Sequence, residues 1–434
     1  MEEDYDGNHN NKLVGIIGLG FVGLPLAFAF IQKGFHVIGI DLDETKIKIL
    51  NDGRSYIQDI KDDDISLAVS SRKLIVSKNY RSLREAGSII ICVPTPLTSR
   101  YTPDLSYLTD TCSRLFPKLQ KGQLIILESS TYPGTTEEVV KPILERSSLI
   151  IGTDIFLAYS PERIDPGNKL SLEQIPKVVS GSTSQCLEKV IQLYEQIFDQ
   201  IVPVTSTQAA ETTKLLENTF RLINISFINE FAQICDRMGV DIWEIIDAAR
   251  TKPYGFTAFY PGPGVGGHCI PVDPLYLQWK AKVYGIESKF ITLSHQVNEA
   301  MPTYVLNQIK TYYHPSRSLL GMHILVYGVA YKKDTPDARE SPAITLIQLL
   351  IKEGAKVTYH DPHIPTLRVG SMIMDSVDMT GVMLQTIDCV VIHTDHTHIP
   401  IADIMKYSPI VFDTRNATKE WKDKSNIIKL GGGH

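Results

Sequence analysis

The residue of this sequence best suited to covalent chemistry is a cysteine in an unusual loop. Cys269 lies in the segment Pro261–Pro274, PGPGVGGHCIPVDP, together with four glycines and four prolines. So many residues with special backbone preferences predict a chain held close to a ligand. A cysteine thiolate attacks an aldehyde readily, and the resulting tetrahedral adduct can then give up a hydride. The alternative interpretation is a buried cysteine without a chemical role.

A second group of residues predicts a dinucleotide-binding turn. The motif Gly18-Leu-Gly20-Phe21-Val22-Gly23 follows an apolar run and opens a helical stretch, where glycines let the backbone approach a pyrophosphate at the helix N-terminus. Asp41 follows about 20 residues on, where a carboxylate can accept from a ribose 2′-OH and repel a 2′-phosphate, which favours NAD over NADP. Lys46 could reach the adenosine end. Alternatively, the glycines only shape a turn, Asp41 lies at the surface and Lys46 is solvated.

Alternating strand and helix patterns predict the elements that position these residues. In the first half of the chain, β-branched runs alternate with stretches of helical spacing, which is typical of a doubly wound parallel sheet. The predicted strands are Lys12–Ile17, His36–Ile40, Ser88–Cys92, Leu124–Glu128 and Ile155–Tyr159, and the predicted helices are Leu24–Lys33, Leu105–Leu119 and Thr136–Arg146.

A long helical stretch follows, and then the alternation of strands and helices starts again. The helical stretch runs from Gln208 to Met238, and Asp241 begins a further helix through Ala249. The alternation resumes with strands His323–Tyr327, Lys356–His360, Cys389–His393 and Ile410–Asp413 and with the helix Ser341–Glu353. We therefore predict an α/β protein with two Rossmann-like doubly wound domains joined by a long central helix. The predicted domains are a NAD-binding domain at 1–205, a central helical domain with the cysteine loop at 206–314, and a C-terminal α/β domain at 315–434.

The composition excludes several classes of function. Apolar residues make up 43% and charged residues 21% of the chain, as in globular domains. The net charge of -6 argues against nucleic acid as a partner, because proteins that bind it concentrate Lys and Arg against phosphates. Apolar runs are far shorter than the roughly 20 residues that cross a bilayer, and Met1–Asn11 lacks a secretory signal. We therefore expect a cytoplasmic protein without a membrane segment, and its six cysteines, which form no CxxC pair, fit reduced thiols.

Motifs along nearly the whole chain, from Val14 to about Arg415, agree independently with one family. Beside the glycine turn and the cysteine loop, they are VPTP at 93–96, ESSTYPGTT at 128–136, YSPER at 159–163, ETTKLLENTF at 211–220 and YKKDTPDARES at 331–341. In these motifs the chain resembles the UDP-glucose/GDP-mannose dehydrogenase family.

The resemblance implies oxidation of a sugar CH₂OH to a carboxylate with two NAD⁺ per substrate. The alcohol becomes an aldehyde, Cys269 forms a thiohemiacetal, loss of hydride gives a thioester, and hydrolysis releases the acid. Lys214 and Asn218, one turn apart on a helix, are expected to stabilise negative charge on oxygen. Asp273 is expected to hold Lys214 or a water and to serve proton transfer in the first oxidation.

Further site residues follow from the same resemblance. Glu162, just beyond a strand, is the expected base for thioester hydrolysis, with Thr131 orienting the water, although the assignment between Glu162 and Asp273 stays open. The residues expected to bind the cofactor are Gly18, Gly20, Phe21, Val22, Gly23, Asp41, Lys46, Pro94, Thr95, Thr131 and Arg339. The residues expected to bind a UDP-sugar are Glu162, Arg163, Lys214, Asn218, Arg250, Gly266, His268 and Lys332. Without the resemblance, the charged members of this set would be taken for surface or capping residues.

The cysteine loop looks like that of the branch acting on UDP-N-acetylhexosamines, and His268 is the residue on which this rests. UDP-N-acetylglucosamine is therefore the first choice of substrate, followed by UDP-N-acetylmannosamine or the galactosamine epimer, with UDP-glucose last. Two other hypotheses remain. A hydroxyacid dehydrogenase would transfer one hydride without needing Cys269, and a non-catalytic sensor of NAD or nucleotide sugar would tolerate its loss. The resemblance also implies a homodimer or a larger homo-oligomer, which the apolar stretch Phe220–Phe231 suits.

The run His393-Thr-Asp395-His396-Thr-His398 raises the question of a metal site, because imidazoles and a carboxylate crowd together. No other ligand cluster accompanies it in the sequence, and the implied reaction requires no metal. We expect exposed histidines at a strand end and in a loop, and no metal.

Overall fold

A computed structural model describes residues 12–57, 60–164, 170–312, 318–423 and 425–433. The segment 1–11, in which the sequence predicts no secretory signal, and His434 lie outside the described residues. The chain divides into two compact units, the first formed by residues up to 217 with 275–286 and the second by 218–274 with 287 onward. The three predicted domains stay a prediction.

The first unit contains an eight-stranded β-sheet flanked by helices. Its strands are β1 (Leu13–Ile17), β2 (His36–Ile40), β3 (Leu74–Ser77), β4 (Ser88–Ile91), β5 (Leu124–Leu127), β6 (Phe156–Tyr159), β7 (Lys177–Gly181) and β8 (Ile201–Pro203). Its helices are α1 (Gly23–Gln32), α2 (Glu44–Asn51), α3 (Asp62–Ser70), α4 (Ser106–Leu115), α5 (Lys141–Leu144), which a π-helical turn at Thr136–Val140 precedes, and α6 (Ser184–Tyr194).

The strands of this sheet lie in the order β3-β2-β1-β4-β5-β6-β7-β8. Strands β1 to β6 pair in parallel, whereas β7 runs antiparallel to β6. The order reverses between β1 and β4, and ligands of such sheets bind in the crevice at the carboxyl ends of the strands there. A ligand is therefore expected at the loops after β1, β4 and β5.

Both faces of the first sheet are covered by buried apolar side chains. This is expected for parallel strands whose sequences are continuous apolar runs. Along β5, Leu124 and Ile126 belong to one buried cluster, and Ile125 and Leu127 belong to the other. Successive side chains of a strand point to opposite faces, so one run of apolar residues serves two cores. This double burial fixes the positions of the loops at the strand ends.

The rest of the described chain contains seven helices, of which α7 and α10 are the longest, and a second sheet. The helix α7 (Thr207–Met238) leads from the first unit into the second, and the remaining helices are α8 (Ile242–Ala249), α9 (Asp273–Val283), α10 (Lys289–Tyr312), α11 (Pro342–Lys352), α12 (Gly381–Leu384) and α13 (Ile401–Tyr407). The remaining strands are β9 (His323–Tyr327), β10 (Lys356–His360), β11 (Thr366–Val369), β12 (Met372–Asp375), β13 (Cys389–Ile392), β14 (Val411–Asp413) and β15 (Ile427–Lys429).

The second sheet is parallel, with the order β10-β9-β13-β14-β15, and β11 and β12 form a separate antiparallel hairpin. The fold class is confirmed as α/β with two Rossmann-like sheets and a long helix in the middle of the chain. Among the described residues, no helix combines the length and the apolar character that crossing a membrane requires.

The segment around Leu430 and Gly431 packs against the start of α8 in the second unit. The indole Nε1 of Trp243 donates to Leu430 O at 2.8 Å, and Ile242 N donates to Gly431 O at 2.8 Å. Gly431 has a φ of 72°, and a Cβ added to it would lie 2.4 Å from Ile242 Cγ2. The contact therefore requires glycine at this position.

We predict that Gly431→Ala lowers the free energy of unfolding by about 2–4 kcal/mol, because a clash adds to the strain of a positive φ. The matched control is Gly321→Ala, which has a φ of 77° but no atom within 4 Å of the added Cβ. It isolates the backbone strain and should cost about 1 kcal/mol. Denaturant unfolding of both variants makes the measurement, and equal losses would contradict the proposed contact.

Candidate active site

The glycine turn between β1 and α1 is closely packed at Gly18 and Gly23. Gly18 has a φ of 91°, and an added Cβ would lie 2.5 Å from Cys92 O. A Cβ on Gly23 would lie 1.9 Å from Gly18 O, which shows how closely the helix packs on the turn. In contrast, a Cβ on Gly20 would meet no atom within 4 Å. The turn is thus tight at both ends and open in the middle, where the backbone can face a ligand.

Asp41, at the end of β2, holds this turn from the side. Its Oδ2 accepts from Leu19 N at 2.9 Å, and its Oδ1 accepts from Asp43 N at 3.0 Å. Lys46 Nζ lies 3.9 Å from the same carboxylate, and the Tyr56 hydroxyl donates to Leu19 O. A carboxylate has about four acceptor positions, so Asp41 retains capacity for a ribose hydroxyl.

The loops after β4 and β5 are tied to each other beside the turn. Thr95 Oγ1 donates to Ser130 O, and Ser129 Oγ donates to Val93 O at 2.8 Å. Pro94 and Phe21 are exposed. Both loops follow strands at the carboxyl edge of the sheet, next to the point where the strand order reverses and where ligands of such sheets bind.

The first turns of α7 hold the second of these loops, 129–136. Lys214 Nζ donates to Ser130 Oγ at 2.5 Å. The buried carboxylate of Glu211 accepts from Gly134 N, from Thr136 N at 2.9 Å and from Thr136 Oγ1 at 2.7 Å. The loop that carries Thr131 is therefore fixed to α7 at both its beginning and its end.

Thr131 has a defined hydrogen-bonding role within this loop. Its Oγ1 lies 2.6 Å from Thr135 Oγ1, and Thr135 Oγ1 donates to Tyr132 O at 2.8 Å. Because Thr135 gives its only hydroxyl proton to Tyr132, Thr131 must be the donor to Thr135. The Thr131 oxygen is left as an acceptor, so it can orient a water only by accepting from it.

Glu162 follows β6 and is held by several donors. Its Oε1 accepts from Arg163 N at 2.6 Å and from Ile164 N at 2.7 Å, and its Oε2 accepts from Lys177 Nζ at 3.0 Å. Burial by itself raises the pKa of Glu162, but the charge of Lys177 and these hydrogen bonds outweigh it and lower the pKa below its ordinary value. Glu162 is therefore ionised at neutral pH, with about one acceptor position left. The Arg163 side chain pairs with Glu217 at 2.7 Å.

In the second unit, Cys269 stands in a turn that leads into α9. Its carbonyl oxygen accepts from Asp273 N at 2.9 Å and from Val272 N at 3.3 Å, and the residue is half-buried. Asp273 Oδ2 accepts from Asn218 Nδ2 at 2.6 Å, and the Arg221 guanidinium donates to Asn218 Oδ1. The structure thus brings together three of the predicted site residues.

Buried side chains fix the rest of the cysteine loop. Gly262 N donates to Asn229 Oδ1 at 2.8 Å, and Asn229 Nδ2 donates to Asn298 Oδ1 at 2.9 Å. The Arg415 guanidinium lies against Gly262, where an added Cβ would be 2.4 Å from Nη1. A Cβ on Gly266 would lie 2.6 Å from Glu340 O. The glycines therefore allow close packing of the loop on its surroundings, which explains their number.

His268 and Arg339 meet at one carboxylate. His268 Nε2 lies 3.4 Å from Asp337 Oδ2, and Arg339 binds Asp337 through Nε and Nη2, the latter at 2.7 Å. Burial raises the pKa of Asp337, but the donors His268 and Arg339 outweigh it, so the net pKa is lowered. Among the remaining predicted substrate residues of this unit, Lys332 is half-buried, and Arg250 is exposed and lies 3.2 Å from Asp247.

The prediction of exposed histidines in the run 393–398 was wrong for two of them. His393 and His396 are buried, and only His398 is exposed. His396 Nδ1 accepts from Asp334 N at 2.9 Å, so its Nε2 carries the proton and donates to Asp361 Oδ2 at 3.1 Å. His396, Asp334 and His363 stand close enough to be considered for a metal. Both ring nitrogens of His396 are engaged, however, so this histidine has no lone pair to offer.

Several residues of these sites escaped the sequence analysis as functional residues. Glu128, Glu211 and Asp337 lie in the quoted motifs but received no role, and Arg415 marked only the end of the resemblance. Lys177 carried no signal at all, because a lysine before an apolar run looks like a solvated strand end. No spacing in the sequence indicates which carboxylate it meets.

Comparisons with known proteins agree with this architecture. Family models of the UDP-glucose/GDP-mannose dehydrogenase family match the chain in three parts: the NAD binding domain at 12–198, the central domain at 208–300 and the UDP binding domain at 325–420. A UDP-N-acetyl-D-mannosamine dehydrogenase of Methanococcus maripaludis is 33% identical, with 98% of each chain covered. A UDP-N-acetyl-D-glucosamine 6-dehydrogenase of Pseudomonas aeruginosa is 37% identical over 81% of this chain and 82% of its own. The solved structure of a UDP-D-ManNAc dehydrogenase from Pyrococcus horikoshii has a TM-score of 0.88 and 31% identity, covering 97% and 99% of the two chains.

We predict a pH-dependent stability contribution from Glu211. Burial raises its pKa to about 7, although the hydrogen bonds from Gly134 and Thr136 oppose the shift. Between its ordinary pKa and about 7, the folded chain binds a proton that the unfolded chain has lost, so stability falls as the pH rises through this window. Glu211→Gln cannot lose this contribution. The difference in unfolding free energy, variant minus parent, should therefore be larger at pH ~8 than at pH ~5 by about 2–3 kcal/mol.

The control for this measurement is Glu137→Gln, which removes a neighbouring half-buried carboxylate paired with Lys141. Its stability relative to the parent should stay nearly constant with pH. If the Glu211 variant also shows no change with pH in denaturant unfolding, the raised pKa is refuted.

Proposed function

Because the chain belongs to the UDP-glucose/GDP-mannose dehydrogenase family and is an NAD-dependent UDP-sugar dehydrogenase, we propose that it oxidises C6 of a UDP-N-acetylhexosamine to a carboxylate. The observation that carries the proposal is the half-buried thiol of Cys269 in a loop fixed by buried side chains, with the Asn218–Asp273 pair where α9 begins. A nucleophile that forms a covalent intermediate needs such a fixed backbone.

Two features of the first unit support a cofactor site there. The open backbone at Gly20 leaves room for the pyrophosphate, and Asp41 keeps acceptor capacity for the adenosine ribose. Bound NAD⁺ would supply the hydride acceptor, once for the alcohol and once for the thiohemiacetal. We propose that Lys46, Pro94, Thr95 and Arg339 also contact the cofactor.

In the first oxidation, the C6 hydroxyl must lose a proton as its carbon loses a hydride. Asp273 serves this proton transfer in our proposal, through a water, with its carboxylate oriented by the Asn218 amide. The ammonium of Lys214 and the amide of Asn218 stabilise the negative charge that develops on oxygen. The Cys269 thiolate then attacks the aldehyde carbon, which gives the thiohemiacetal and, after loss of the second hydride, the thioester.

Thioester hydrolysis is assigned to Glu162. A water oxygen attacks the thioester carbonyl carbon while a water proton passes to Glu162, and the C–S bond breaks with its electron pair left on Cys269 Sγ. The products are the carboxylic acid and a thiolate ready for the next substrate. Thr131, whose oxygen can only accept, would hold the second proton of that water. This division of roles gives Asp273 the first half-reaction and Glu162 the second.

Two arguments about the identity of the hexosamine lead to different epimers. The loop residue His268 led to UDP-N-acetylglucosamine as first choice, whereas the named relatives that cover nearly the whole chain are mannosamine dehydrogenases. The two epimers differ at C2, which lies across the ring from C6, so the same cysteine chemistry serves both. We propose both as substrates to compare, with the galactosamine epimer next and UDP-glucose last. A cytoplasmic location and a role in surface polysaccharide synthesis complete the proposal.

The proposal predicts two NADH per sugar when the purified protein exhausts a limiting amount of a UDP-N-acetylhexosamine in excess NAD⁺. Cys269→Ser should lower the rate of acid formation at least about 100-fold, because the covalent route is lost. Cys235→Ala, which removes a buried cysteine of the same unit, should keep the stoichiometry. A yield of one NADH would favour the hydroxyacid dehydrogenase alternative, and no turnover with any UDP-sugar would favour the sensor. Two NADH with UDP-glucose alone would keep the mechanism and refute the assignment of His268.

We also propose that the protein forms a homodimer, or a larger homo-oligomer, through an apolar stripe on α7. The side chains of Phe220, Phe227 and Ile234 are 51%, 58% and 46% exposed and recur at intervals of seven residues, which is two helical turns. A face of this kind on a long helix is typical of a contact with another chain. UDP-sugar binding through Arg250 of a neighbouring subunit would depend on this contact.

Phe227→Glu is expected to shift the protein toward the monomer in sedimentation velocity at micromolar concentration, since it places a charge in the stripe. Leu67→Glu, which replaces an exposed apolar residue on α3 of the first unit (69% exposed), should leave the oligomer unchanged. A parent protein that sediments as a monomer would refute the proposal.

A further inference from the structure

Three buried charged side chains meet behind the loop that carries Glu162. Lys177 Nζ lies 3.0 Å from Glu128 Oε2 and 3.0 Å from Glu162 Oε2. Their side chains are 3%, 0% and 4% exposed, respectively. The Tyr194 hydroxyl donates to the other oxygen of Glu128. The two carboxylates thus share one ammonium out of contact with water.

The direction of β7 explains how the lysine reaches this position. Strands β5 and β6 end at the carboxyl edge of the sheet, and Glu128 and Glu162 lie just beyond them. Because β7 is antiparallel to β6, with Tyr159 opposite Ser180, its first residue reaches the same edge. The register, continued along both chains, places Lys177 opposite Glu162. A parallel β7 would have placed this lysine at the far edge.

Stability alone does not account for the cluster. Removing charges from water costs several kcal/mol per ion, and replacing a buried ion cluster by well-packed apolar residues is often neutral or stabilising. Lys177 is also not needed to complete the sheet, which its backbone joins regardless of side chain. Its side chain is better explained by what it does for a neighbouring group.

We propose that Lys177 is a positioning residue for thioester hydrolysis, which holds the Glu162 carboxylate ionised and aimed so that it can accept a proton from the attacking water. This inference rests on the proposed function, specifically on Glu162 as the base. Lys177 touches neither substrate nor cofactor in this role. It acts through a single contact to Oε2, while backbone donors of residues 163 and 164 hold Oε1.

The charges around Glu162 support this role. Among the described residues, the titratable groups that face it are Lys177 on β7, Glu128 after β5, Tyr194 on α6, Cys92 after β4 and Lys214 on α7. Burial raises the pKa of both Tyr194 and Cys92, which are therefore neutral. Burial and the nearby Glu162 also raise the pKa of Glu128, against the charge of Lys177. Without Lys177, the two carboxylates would repel each other, and of the described lysines whose charge acts on Glu162 there would remain the more distant Lys214.

The test follows the lifetime of the thioester on Cys269. With excess NAD⁺ and the substrate found in the stoichiometry assay, rapid acid quench and intact-protein mass spectrometry measure formation and decay of the hexuronyl adduct between pH ~5.5 and ~9. For Lys177→Met and Lys177→Gln we expect a normal yield of adduct. The adduct should decay at least about tenfold more slowly than in the parent at neutral pH, and its decay rate should rise with pH as Glu162 becomes ionised. Lys177→Arg should restore the parent rate within a few fold and its flat profile.

Glu128→Gln is the matched control, since it removes another member of the same buried cluster but leaves the contact between Lys177 and Glu162. Its decay should keep the parent's flat pH profile. The inference is overturned if the adduct on the Lys177 variants decays with the same pH dependence as on the parent. It is also overturned if the decay rate falls by the same factor, independent of pH, in the Lys177 variants and in Glu128→Gln. A parent enzyme that forms no adduct, or one NADH per sugar, would instead refute the proposed function, so the two failures are distinguishable.

Discussion

The loops at the carboxyl edge of the first sheet depend on carboxylates that are wholly or partly removed from water. An ionised carboxylate removed from water must find donors, or it takes up a proton. The half-buried Asp41 accepts from the backbone of the glycine turn, the buried Glu162 accepts from Lys177 and two amides, and the buried Glu211 accepts from the loop at 134–136. Each pairing fixes a loop that would otherwise be free to move. Hydrogen bonds to these carboxylates therefore hold the loops at this edge of the sheet.

The cysteine loop of the second unit is fixed by a different means. Its glycines permit contacts that a Cβ would prevent, so the loop packs directly on Arg415, Glu340 and the neighbouring backbone. Buried amides of Asn229 and Asn298 then satisfy the groups that this packing leaves inside. A thiol on such a support has little freedom, which matches the geometric demand of covalent catalysis.

The helix α7 connects the two sets of residues along the chain. Its first turns carry Glu211 and Lys214, which hold the loop at 129–136, and one turn later Asn218 holds Asp273. Further along, Asn229 supports the cysteine loop. One helix therefore serves each unit by direct hydrogen bonds.

The sequence by itself determined five strands of the first sheet and four of the second, the long helix, the glycine turn with Asp41 and the glycine-rich cysteine loop, because each is encoded locally by periodicity, glycine position or motif. It did not predict β3, β7, β8 and β15. Asp241 was predicted to begin a helix, and it does cap α8. The antiparallel direction of β7 and the meeting of Lys177 with Glu128 and Glu162 were decided only by the tertiary structure. So was the burial of His393 and His396, which the sequence analysis placed in solvent. Such contacts join residues from separate strands, and burial of a charge depends on what packs over it, which no local pattern specifies.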